Sequence, residues 1–444
     1  MRPPVRIALA AVAVLAVAVV AALLLRHSDT PPADVPLIPG AKVPDPFAFH
    51  PGQDAAFTRR AAAGSAHLLY VLSPGGIEAS AARTARWRPL VESAARSAGV
   101  DPDTLEGLVL LESAGRPDAI TPAGLDGAVG LTQILAETGQ NLLGMHVDVA
   151  ASRGLTAKIA RAHGARAARL EHRRAQVDQR FDPRAELAAT ARYLALARKR
   201  FGRADLAFVS YHMGMGNLEG VVRAYAGDAG TPLADLVAGD GLSYPRLYFD
   251  SSPVRHPGAW SRMSRLGDDS MNYLWKVLAG AEIMRLHRQD PGTLHRLAGL
   301  HASGAAAVLR PVLTPPGSGD LVPVPDRTAR TGLRLLDRGG RLRRETLGLA
   351  LYLGAQVRAL SRTAPLQVTA TVRPRGSDPL DATGWTFDIA RRYRTHRQAL
   401  AFQFVLDRLQ TLGVIAWTRE ANRIHITAGP DARLLLPLVG GAGR

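Results

Sequence analysis

Residues Ile7 to Leu25 form nineteen consecutive positions without a charged or polar side chain, preceded by Arg2 and Arg6 and closed by Arg26. In hydrocarbon a backbone must satisfy its own hydrogen bonds, so a run of this kind can only be a helix. At ~1.5 Å per residue it spans roughly 28 Å, about one bilayer core. It ends in Leu23-Leu24-Leu25-Arg26, with no small-x-small site at the boundary. We therefore expect an uncleaved single-pass anchor in the cytoplasmic membrane, rather than a removed signal peptide. Either reading places most of the chain on the extracytoplasmic side.

The 444 residues leave room for two or three domains. There is no cysteine, which excludes a disulfide framework, a thiolate metal site, a cysteine nucleophile and a lipidated cysteine anchor. The formal charge is +17, and only four of the 55 basic residues are lysines. Such a balance fits either attraction to a polyanion or an arginine-rich base composition. No compact basic cluster is interleaved with aromatics, so nucleic acid is not expected as a partner. The densest charge lies between Arg153 and Arg180 and reads as a solvated helix.

Composition and periodicity divide the remainder. Residues 27–80 begin with Pro31, Pro32, Pro36, Pro39, Pro44 and Pro46 and read as an extended spacer. Residues 81–305 are helical: Trp87, Leu90, Val91 and Ala94 recur at helical spacing, and Asp101-Pro102-Asp103 caps a second helix carrying Leu105, Leu108, Val109 and Leu111. Further helices are expected over 183–201 and 204–225. Residues 306–335, with five prolines from Pro311 to Pro325, form a linker. Residues 336–444 alternate helix and strand: a helix over 345–360, a strand from Leu366, a helix over 397–413, then strands at Val414–Trp417 and Arg423–Thr427. The expected fold is mainly α: a helical domain preceded by a transmembrane helix and followed by a small α+β domain.

Within the helical part, several fragments occur in a fixed order. Glu112-Ser113 ends an apolar helix; Thr121-Pro122-Ala123-Gly124 and Gly130-Leu131-Thr132-Gln133 follow; then come Tyr193-Leu194 and Ser210-Tyr211-His212-Met213-Gly214-Met215-Gly216; last is Tyr273, entering a final helix. This order resembles the soluble lytic transglycosylase family over roughly residues 83–290. The resemblance implies a lysozyme-like helical fold and, as substrate, the glycan strands of peptidoglycan. It implies that Glu112 is the single catalytic acid/base, that Ser113, Gln133, Tyr211, His212 and Tyr273 contact or frame the sugar, and that no cofactor is needed. It further implies cleavage of the MurNAc–GlcNAc β-1,4 bond by attack of the muramyl C6 hydroxyl, leaving a 1,6-anhydro end. A hydrolytic muramidase of the same fold and a non-catalytic glycan-binding scaffold are the alternatives.

The chemistry is consistent with the residue types. Cleaving a glycosidic bond requires a proton on the departing oxygen, and a carboxyl keeps one near neutral pH only in apolar surroundings. Leu105, Leu108, Val109, Leu110 and Leu111 supply such surroundings before Glu112. An intramolecular nucleophile has high effective concentration, so a second carboxylate is dispensable. Three departures from the family pattern stand out: Leu125-Asp126-Gly127 lengthens a turn, Thr132 replaces a methionine, and His212 replaces an asparagine.

The last domain holds a second, weaker resemblance, to the D-alanyl-D-alanine carboxypeptidase family of zinc enzymes. Asp388 and His425 match two ligand positions. Asp381 stands at the first ligand position, where that family has histidine, and Asn422 at that of the catalytic glutamate. An amide cannot act as a general base. A carboxylate can coordinate zinc, so these residues leave metal binding open; the expectation is a degenerate, non-catalytic module that takes wall peptide or a cell-wall protein partner.

Overall fold

The computed structural model describes residues 35–38, 41–302, 316–317, 319–324, 332–337, 339–373 and 379–439. The apolar run Ile7–Leu25 and much of the expected linker lie outside them. Among the described residues no helix is long and apolar enough to cross a membrane.

The chain is mainly helical, with a small sheet in its carboxy-terminal part. Helix Pro102–Ser113 starts where the sequence marks it: the Asp101 carboxylate accepts from the Thr104 amide, and Pro102 occupies the first turn. It packs along helix Tyr273–Gln289, and the two cross at glycines. A Cβ on Gly107 would fall 2.3 Å from the Val277 carbonyl, and one on Gly280 would fall 2.6 Å from the Gly107 carbonyl. Only bare backbones allow this approach, which fixes what stands at the near ends, Glu112 and Tyr273. At the far end Glu106, fully buried, accepts from Arg88 at 2.9 Å and from Arg288.

The expected spacer stops early. Val35–Ile38 and Ala41–Val43 pair antiparallel, and Asp54–Leu72 is a helix of nineteen residues. Phe57, Ala61, Leu69 and Tyr70 on that helix are buried, so its 3.6-residue apolar stripe is real, although arginine and alanine dilute it. Helix Pro183–Phe201 has the expected bounds. The next one breaks at Gly214 into Ala204–Met213 and Met215–Ala226. The charged stretch folds into two helices, Val149–Ile159 and Gly164–Val177, and the expected solvation fails at two positions: Arg174 lies over the Phe181 ring and Arg180 is fully buried.

The second domain begins before the expected end of the linker, with Leu321–Pro323 paired antiparallel to Arg341–Arg343. Its sheet has the order Leu333–Leu335, Leu366–Ala370, Thr386–Ala390, Arg423–Ala428, Ile415–Arg419; the first pair is parallel and the others antiparallel. Helices Arg344–Ser361 and His396–Thr411 pack on each other and on this sheet. The two halves share an apolar core. The Phe47 ring meets Tyr352 edge-on, Trp260 meets Phe404 in the same way, and the Tyr248 and Thr411 hydroxyls lie 3.2 Å apart.

Candidate active site

Glu112 occupies the last turn of its helix, half-buried, next to Leu111 and the fully buried Leu108. The Tyr273 hydroxyl donates to its Oε1 at 2.5 Å. Burial is the largest influence on this carboxyl and raises it to about 7; the Tyr273 hydrogen bond and the nearby Lys276 ammonium pull the other way. The group is thus poised to hold or release a proton at neutral pH.

A tyrosine cluster extends from this pair. The rings of Tyr273 and Tyr211 stack with centroids 6.5 Å apart, and Tyr193 meets Tyr211 edge-on at 5.2 Å. The Tyr211 hydroxyl donates to the Thr132 carbonyl at 2.8 Å, and the Tyr193 hydroxyl to the Ser210 carbonyl at 2.6 Å. His212 is exposed, stacks on Tyr273 at 5.1 Å and places Nδ1 2.8 Å from the Ser270 hydroxyl. Partial desolvation of the ring lowers its pKa, which favours the neutral form.

The loop Gly130–Gln133 packs between the acid's helix and Tyr211. Ser113, expected on the sugar, is buried instead, and its hydroxyl donates to the Leu131 carbonyl at 2.7 Å. The serine beside the acid therefore staples this loop to the acid's helix. Gln133 adopts a left-handed backbone (φ 57°), and its amide nitrogen donates to the carbonyls of Gly130 at 2.8 Å and Ala119 at 3.3 Å. Its carboxamide tightens the turn. The structure thus brings Glu112, Tyr273, Tyr211 and His212 together, with Ser113 and Gln133 shaping the loop opposite.

Sequence reasoning missed Glu186. It lies fully buried in the first turn of Pro183–Phe201 and accepts from the Leu131 amide at 2.5 Å, the Thr132 amide at 2.8 Å and the Thr132 hydroxyl at 3.1 Å. Burial pushes its carboxyl up to about 8, against the pull of those donors. Gly130 passes so close that a Cβ there would stand 2.6 Å from both Glu186 oxygens. Thr132, which departs from the family pattern, also bonds Thr190 at 2.8 Å, and Thr190 lies 3.4 Å from the Tyr211 hydroxyl. One polar chain thus links Glu186 to the tyrosine that stacks beside Tyr273. A first-turn glutamate after Asp182-Pro183 looks like helix-end decoration. The available signal was its register, since it shares a face with Thr190, Tyr193 and Ala197, all buried.

In the second domain the acids at the expected ligand positions meet cations. Arg373 lies 2.9 Å from Asp381 and 3.2 Å from Asp388, Arg423 lies 2.9 Å from Asp388, and His425 Nδ1 lies 2.8 Å from Asp388 Oδ1. Two guanidinium groups supply the positive charge that these carboxylates require. Among the described residues no group of three His, Cys, Asp or Glu is placed to hold a metal.

Among known families, residues 89–230 fit the model of the Transglycosylase SLT domain. No curated protein matches the chain. Over these residues the chain matches the family that its motif order resembles.

Proposed function

We propose that the chain is a peptidoglycan lytic transglycosylase of lysozyme-like fold, with Glu112 as its only acid/base. The carrying observation is the half-buried carboxyl raised to about 7 under the Tyr273 hydroxyl. Neutral Glu112 gives its proton to the glycosidic oxygen as the bond to the muramyl C1 breaks. The resulting carboxylate then takes the C6 hydroxyl proton while that oxygen bonds to C1, which closes the 1,6-anhydro ring and restores the acid. Tyr273 stabilises the transient anion by charge-assisted hydrogen bonding. Glu186, the other buried carboxyl in this network, aims its oxygens at backbone amides, which supports a single-acid mechanism.

Digestion of purified cell wall tests this reading. Wild type should release muropeptides one water lighter than hydrolytic products, and Glu112→Gln should release none. Reducing-end products would instead establish a muramidase; absence of products from both proteins, with glycan binding retained, would establish a scaffold.

The catalytic part works outside the cytoplasm in this reading, held at the membrane by Ile7–Leu25. Release of the full chain from membranes by alkaline carbonate would exclude the anchor.

A further inference from the structure

The helical hairpin Val149–Val177 has no part in the chemistry above, yet it carries a large share of the molecule's charge. Its 29 residues hold seven arginines and lysines against the single Glu171, a net charge of +6 out of +17 for all 444 residues. An even distribution would give it about one. Lys158, Arg161, Arg166, Arg169 and Arg173 are exposed, and among the described residues none of them has an ion-pair partner. Arg166, Arg169 and Arg173 follow at three- and four-residue steps, so they line one face of Gly164–Val177 over roughly 10 Å. Like charges on one face repel, a cost that folding alone gives no reason to bear.

The hairpin is tied to the lengthened turn that precedes the loop Gly130–Gln133. Arg153 makes an exposed 2.9 Å pair with Asp126, in the lengthened turn. At the hairpin's exit Asp178 pairs with the buried Arg180 at 2.9 Å, and that guanidinium donates to the carbonyls of Leu125, Gly127 and Ile134. Leu125, Val129 and Phe181 form a small core of their own between them. The turn and the hairpin thus form one unit, with Ile134 adjacent to Gln133.

We propose that the hairpin Val149–Val177 is a docking surface for the carboxylates of the peptide stems that branch from the glycan strand. The proposal rests on the peptidoglycan reading above and extends it from the sugar to the peptide. Charge complementarity selects the partner: stem peptides carry free carboxylates, and arginine pairs with them in bidentate geometry. A lipid surface fits less well. Surface-seeking helices carry an aromatic or leucine-rich face opposite the charge, whereas Gly164–Val177 has no aromatic residue and a single leucine, Leu170.

The test uses the full chain carrying Glu112→Gln, so that binding is read without turnover. Its cosedimentation is measured with intact sacculi, with sacculi whose carboxyl groups are blocked as amides and with phosphatidylglycerol vesicles, from 50 to 500 mM NaCl. The comparison protein adds Arg161→Gln, Arg166→Gln, Arg169→Gln and Arg173→Gln. These side chains are exposed, and an unchanged melting temperature confirms folding. The expected result is sacculus binding about tenfold weaker at low salt in the quadruple variant, with most of the salt dependence lost, and no difference between the proteins on the amide-blocked sacculi. Equal binding and equal salt slopes on sacculi would overturn the proposal. So would a loss confined to the vesicles, which would assign the charge to the membrane. Should Glu112 prove non-catalytic while the quadruple variant still loses sacculus binding, the enzymatic reading fails and the docking surface stands.

Discussion

The Tyr273 hydroxyl sits 2.5 Å from Glu112 Oε1 and lowers the pKa of a carboxyl that burial raises. The two side chains meet because the helices behind them cross glycine to glycine. Replacing Tyr273 by Phe removes the donor and leaves the ring. The Glu112 pKa should then move above about 7, and the alkaline limb of the activity–pH profile should move with it, while the rate at its plateau falls. A limb that stays in place while activity drops would assign Tyr273 to substrate contact alone.

The same carboxyl makes stability depend on pH. Its folded pKa is raised, so the unfolded chain releases the proton from about 4.5 upward while the folded chain keeps it to about 7. Stability is therefore lost across that interval as pH rises. Glu112→Gln, which cannot ionise, should unfold at higher temperature than wild type at pH 8, by up to roughly 3 kcal/mol, and nearly equally at pH 4.5. Parallel melting curves at the two pH values would contradict a buried acid.

Glu186 should resist its most conservative replacement. Glutamine has the same shape, but its amide hydrogens would face the Leu131 or Thr132 N–H groups, leaving a buried donor unpaired at a cost of about 1–3 kcal/mol. We expect Glu186→Gln to lower the melting temperature and kcat together, because the loop it holds also anchors Tyr211. A variant with full stability and full activity would reduce Glu186 to a bystander.

These cases show how far the sequence could be read. Glu112, Tyr211 and Tyr273 were recognisable because ordered fragments place them at helix ends, where chemistry and punctuation coincide. Helix Pro102–Ser113 was recognisable from its Asp-Pro cap. Glu186 was hidden because a charged first-turn residue is ordinarily solvent-facing, and its burial depends on backbone amides more than fifty residues away. The family resemblance assigns Ser113 to the sugar, yet its hydroxyl turns inward to Leu131. Helix Asp54–Leu72 was obscured by proline-rich residues before it and by arginines within it. It packs on helix Tyr273–Gln289, roughly two hundred residues later in the chain, and on a partner from the second domain, His396–Thr411.

That partner defines a further expectation. A Cβ on Gly64 would lie 2.2 Å from the Thr411 carbonyl and 2.9 Å from the Gly413 amide. Gly64→Val should force helices Asp54–Leu72 and His396–Thr411 apart, at a cost of about 3 kcal/mol or more. Calorimetry should then resolve two transitions in place of one. A single undiminished transition would show that the halves do not depend on this contact.

The contact at Gly64 also bears on how such an assembly can be inherited. Because the tail rests on a helix that lies in the chain before the cleft-forming segments, the sugar-cleaving half is enclosed in sequence by the two partners of a single joint. Recombination that exchanged the tail for another would leave Phe47 without the Tyr352 ring it meets, and Gly64 without the backbone it rests on, unless the new tail offered both. The two halves are therefore expected to be lost, gained and tuned as one piece, even though a proline-rich stretch of chain separates them.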